Sequence, residues 1–102
     1  MIPQNEYITR LLQLYLQQSN TPNRFSRYDR KLAEHLFNQG VSLDEMKAAF
    51  LLASARRAAR NPNPFPLGPI RSLYYFLPIL QEVQLNKPSD GYLNYLKSKL
   101  PG

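Results

Sequence analysis

The chain has 102 residues, with 13 Lys and Arg against 7 Asp and Glu, a formal charge of +6 and no cysteine. That length builds one domain with a single core, and a hydrophobic share of 43% fits a folded protein rather than a disordered one. The missing cysteine excludes disulfides, thiolate metal sites and thiol nucleophiles, while the positive excess favours an acidic partner such as nucleic acid, an anionic membrane or an acidic protein surface.

No basic region followed by an apolar run opens the chain, so no secretory signal is read there. The longest apolar runs, about eight residues, fall far short of the roughly 20 that span a bilayer. A cytoplasmic protein without a membrane partner is expected. The stop at Pro101 and Gly102 suggests a single helical domain, residues 1–102, excised from a longer protein.

Pro3 suits a first helical turn, and Ile8, Leu11, Leu12, Leu14, Tyr15 and Leu16 recur at helical spacing. Helix one is therefore placed at about Gln4 to Gln18, and the turn cluster Ser19 to Asn23 ends it before Pro22. Ser26 with Asp29 three residues on opens helix two. Its buried face is read as Tyr28, Leu32, Ala33, Leu36 and Phe37, and Gly40 closes it in a left-handed conformation.

Ser42 and Glu45 form the clearest capping box of the sequence and start a third helix, at about 43–59. Its middle, Ala48 to Ala55, is apolar or small on every side, so other elements must enclose it. It is expected to be the central helix of an all-α bundle of about five helices. Residues 61–69 hold four prolines in nine positions, a stiff, extended linker that Phe65 and Leu67 would pin to the bundle.

Pro69 marks the expected start of helix four, Ile70 to Gln84, with Leu73, Tyr74, Phe76, Leu77, Leu80 and Val83 apolar. Pro78 inside it predicts a kink, or alternatively a break into two shorter helices near Tyr75. Ser89 or Asp90 then caps a short last helix carrying Tyr92, Leu93, Tyr95, Leu96 and Leu100. Neither a strand alternation nor an internal repeat is present.

Catalytic signatures are lacking. His35 is the single histidine, too few ligands for zinc, and no phosphate loop, nucleophile elbow or HExxH occurs. A non-enzymatic protein without cofactor or metal is expected.

The basic residues carry more information. Between Met46 and Gln81 the chain holds Lys47, Arg56, Arg57, Arg60 and Arg71 and no carboxylate. Arg56 and Arg60 share a helix face, and Arg71 returns across the proline linker, where the first N–H groups of helix four and Ser72 would also face an anion. A second group, Arg24, Arg27, Arg30 and Lys31, lines the start of helix two. Arginine matches phosphate through two parallel hydrogen bonds. Solvated cations favoured by the dipole at a helix end account for the same pattern. Tyr15, Tyr28 and Tyr74 are read as core, and Tyr75, Tyr92 and Tyr95 as exposed, where a ring can stack on an unpaired base.

From Ser26 to Leu85 the order of signals resembles the C-terminal helical domains of DnaD-like bacterial and phage replication proteins. These carry a Tyr-x-x-x-Ile-x-x-x-Trp pattern, of which Tyr75 and Ile79 supply the first two positions and Val83 stands in place of the tryptophan. The preceding capped helix, with Ala48, Ala49, Leu52, Ala53 and Ala55, is similar to the family's small-residue helix. The resemblance implies DNA binding and contact with other replication proteins, in replication initiation, primosome loading or a mobile element. The expected phosphate contacts are Arg56, Arg57, Arg60 and Arg71, then Arg27, Arg30 and Lys31, with Tyr75 beside them. Whether the DNA is single-stranded or duplex stays open. An assembly module docking through the Tyr-rich fourth helix and C-terminal tail is the alternative.

Overall fold

In the computed structural model, which describes residues 2–18, 21–59 and 68–99, the chain forms five α-helices and one 3₁₀ turn, with no strand among the described residues. α1 (Gln4–Leu16), α2 (Arg27–Asn38) and α3 (Leu43–Ala59) precede the 3₁₀ turn Leu73–Phe76, α4 (Leu77–Leu85) and α5 (Asp90–Lys99). This is the all-α bundle that the periodicity predicts. Ser19, Asn20, Arg60, residues 61–67 with Phe65 and Leu67, and Leu100 lie outside the described residues.

α3 is the hub. It packs against α1, the 3₁₀ turn, α4 and α5, and every residue from Ala48 to Ala55 is buried or half-buried. Its alanines let neighbouring backbones come close, and Phe50 and Leu52 fill the space between them. Ser42 and Glu45 cap it reciprocally: the Glu45 N–H donates to Ser42 Oγ at 3.1 Å and the Ser42 N–H to Glu45 Oε1 at 3.0 Å.

α2 is bounded as its sequence requires. Ser26 Oγ accepts from the Asp29 N–H, and the Asp29 carboxylate accepts from the Ser26 N–H. At the other end Gly40 adopts φ 78°. The Gly40 N–H donates to the Phe37 carbonyl and the Val41 N–H to that of Leu36, so two orphan carbonyls are satisfied and buried Val41 is turned into the core.

Two tyrosines expected in the core are outside it. Tyr28 is 60% exposed, because it lies about a quarter turn from the centre of the stripe formed by Leu32, Ala33 and Leu36. Asp29 occupies that central position instead. Tyr74 is 53% exposed because helix four does not begin at Pro69. Ile70 is a buried anchor ahead of any helix, and the chain then enters a 3₁₀ turn in which positions i and i+3 share a face. Leu73 and Phe76 therefore point inward, and Tyr74 and Tyr75 outward. Pro78 falls in the first turn of α4, where its missing N–H costs nothing. The break, and not the kink, is what forms.

Phe76 is the keystone of the inner face. Its ring meets Phe50 edge-on at 4.7 Å and Tyr15 at 6.1 Å. Asp29, 1% exposed, joins this region to α2: Oδ2 takes the Ser26 N–H and Oδ1 the Leu73 N–H, each at 2.9 Å. Asp29→Ala leaves both N–H groups unpaired and is expected to cost about 3 kcal/mol in urea unfolding at neutral pH, whereas Asp29→Asn, which keeps one acceptor, costs less.

Tyr7 and Tyr15 bury hydroxyls that have no partner among the described residues. Burial, and secondly the charge of Glu45 for Tyr7 and of Asp29 for Tyr15, pushes each pKa up to about 12. The unfolded chain releases these protons near its ordinary value of about 10, while the folded chain retains them. Stability is therefore whole below that pH and falls as pH climbs toward 12. Tyr7→Phe with Tyr15→Phe is expected to flatten this alkaline limb in denaturation curves without loss at pH 7.

Candidate nucleic-acid interface

Arg56 and Arg57 leave the last turns of α3 about 100° apart, and they meet different partners. Arg56 presents its fork to Glu82 on α4, with Nη1 to Oε2 and Nη2 to Oε1 both at 2.7 Å. Both side chains are about half exposed. These hydrogen bonds hold the Glu82 carboxyl below the usual carboxylate range and raise the Arg56 pKa further. The pair edges a cavity of about 540 Å³ between α3, α4 and α5, lined also by Leu52, Val83, Lys87 and Tyr92.

Arg57 acts as a latch. Its Nη2 donates to the Gly68 carbonyl at 2.8 Å and its Nη1 to the Tyr75 hydroxyl at 3.2 Å. The guanidinium carbon lies 5.6 Å from the Tyr75 ring centre. Tyr75 in turn stands edge-on to Phe76. Arg56 and Arg57, both expected phosphate contacts, therefore turn to separate partners within the bundle, and Arg60 lies outside the described residues.

Arg71 is exposed and lies on the segment from Gly68 to Leu73, which is held at one end by Arg57 and at the other by Asp29 of α2, two residues before the second of these fastenings. On α2, Arg27 lies 5.4 Å from the Tyr28 ring centre, Arg30 is 3.9 Å from Glu34, and Lys31 is exposed. Of the N–H groups expected to face an anion at the start of helix four, that of Leu73 is already given to Asp29.

Three participants were not read from the sequence. Glu82 is the first acid after the carboxylate-free stretch, but only the packing of α4 on α3 reveals it as the Arg56 partner. In the sequence Asp29 signals a cap alone, although it also holds the 3₁₀ turn. The Gly68 carbonyl carries no sequence signal at all.

Comparison with protein-family models, curated proteins and solved structures finds no match to this chain. Among the described residues no helix is long and apolar enough to cross a membrane.

Replacing the Arg57 fork by one ammonium, in Arg57→Lys, is expected to lower stability by about 1 kcal/mol. Arg56→Gln breaks only an exposed ion pair and should leave the melting temperature nearly unchanged; thermal unfolding of both variants checks the contrast.

Proposed function

We propose that this bundle is a non-enzymatic DNA-binding module of a replication-initiation or mobile-element protein, gripping phosphates through arginine and lysine. The observation that carries this reading is the Leu73–Asp29 hydrogen bond, which ties the segment bearing exposed Arg71 to the first turn of α2, the helix that bears Arg27, Arg30 and Lys31. The carboxylate at their centre, Asp29, is buried, and each of its oxygens accepts a backbone N–H. The exposed charges there are thus mainly basic, and the one buried carboxylate beside them is turned inward onto two backbone N–H groups. Such a patch concentrates a polyanion and steers its approach.

The second reading, an assembly module, is favoured by a different region. Leu85 at the end of α4 is 88% exposed, and Tyr92 and Tyr95 on α5 are 48% and 56% exposed. Exposed apolar and aromatic groups of this kind suit a protein partner.

Under the first reading, neutralising about four phosphates gives a log–log salt slope near −3.6 for a duplex or −2.8 for a single strand. Charge reversal of Arg27, Lys31 and Arg71 is expected to abolish retention in an electrophoretic shift assay. Glu82→Gln, which releases Arg56, should tighten binding and steepen the slope by about one phosphate. DNA binding that is indifferent both to salt and to the triple reversal would transfer the weight to the assembly reading.

A further inference from the structure

On the basis of the DNA-binding reading, we infer that Tyr28 and Tyr74, flanked by Arg27 and Arg71, form a stacking platform for unpaired bases, so that the bound form is single-stranded DNA. Both rings were expected inside the core and both are more than half exposed, at 60% and 53%. Each is the chain neighbour of one end of the buried Asp29–Leu73 hydrogen bond, which keeps their Cα atoms within about 15 Å of each other. The two exposed rings thus leave the chain on either side of one fixed junction, with Arg27 next to Tyr28 and Arg71 three residues before Tyr74.

A duplex offers a protein its phosphates and the edges of its bases. Only an unpaired strand offers base faces, and those are what an exposed tyrosine ring beside arginine is suited to receive. Arg27 already covers one side of the Tyr28 ring at 5.4 Å from its centre, so the cation is in place to meet the phosphate of a nucleotide stacked on the other side. Tyr74 has no ring contact of this kind among the described residues. The tyrosines of α5 differ in two respects: lysine and not arginine accompanies Tyr95, and among the described residues no buried hydrogen bond ties α5 to α2.

Fluorescence anisotropy with a labelled oligothymidylate and a hairpin duplex of equal phosphate number, at fixed low salt, tests the assignment. The wild-type chain is expected to prefer the oligothymidylate. Tyr28→Ala and Tyr74→Ala should each weaken that binding about tenfold and leave the duplex affinity unchanged. Tyr28→Phe should retain it, because the ring remains. Tyr92→Ala and Tyr95→Ala serve as controls expected to have no effect, and circular dichroism verifies that each exposed-site variant is folded. Equal losses on both DNAs, silent Tyr28 and Tyr74 variants, or a loss carried by Tyr92 or Tyr95 would overturn the platform while leaving DNA binding intact. Tighter binding of oligouridylate would overturn its assignment to DNA. Failure of the wild-type chain to bind either DNA would instead bring down the DNA-binding reading itself.

Discussion

A single buried carboxylate sets the geometry on which the surface depends. Asp29 completes the cap of α2 and simultaneously receives the first N–H of the 3₁₀ turn, 44 positions later in the chain. Burying a charge is costly unless it is hydrogen-bonded, and the two amide donors, together with the positive end of the α2 dipole, meet that condition. Because the bond is short and enclosed, it fixes the segment after Gly68 against α2. It thereby ties the chain two residues after Arg71 to the helix that carries Arg27 and Lys31.

The hydrophobic part of the same junction explains why the turn is 3₁₀. Leu73 and Phe76 must both face inward, toward Tyr15 and Phe50, and the three-residue period aligns them. Tyr74 and Tyr75 are then forced out. Pro78 fits this change of helix type, since the first turn of α4 has no use for its N–H. Exposure of the two tyrosines is therefore a consequence of how the core is filled, and their availability to a ligand follows from packing.

Features that depend on a few consecutive residues were legible in the sequence: both capping boxes, the left-handed Gly40 and the all-round burial of α3. What escaped was long-range or a matter of register. Tyr28 sits at i−4 to Leu32 and so reads as part of the stripe, but that stripe is centred on Asp29, a polar residue that hydropathy discounts. Tyr74 lies on the apolar face only if Ile70 to Gln84 is one α-helix. At the candidate site, the types and clustering of the basic residues were readable, while the Glu82 and Gly68 partners, 26 and 11 positions away from their arginines, were not. Local sequence specifies caps, whereas pairings across the bundle are set by how the elements dock.

Arg56 and Arg57, adjacent in sequence, are thereby separated in role. Arg57 ends on a backbone carbonyl and a phenol, and its Nε is buried; taking its fork away would leave those groups unsatisfied and loosen the segment that holds Arg71. Arg56 ends on an exposed carboxylate in the two-point geometry that a phosphate also accepts. An exposed pair of this kind contributes little to stability and weakens with salt, so the fold loses little when Arg56 and Glu82 part. The carboxylate keeps the guanidinium extended and aligned. Of two neighbouring arginines, the helix geometry of α3 thus makes one a fastening of the scaffold and leaves the other exchangeable.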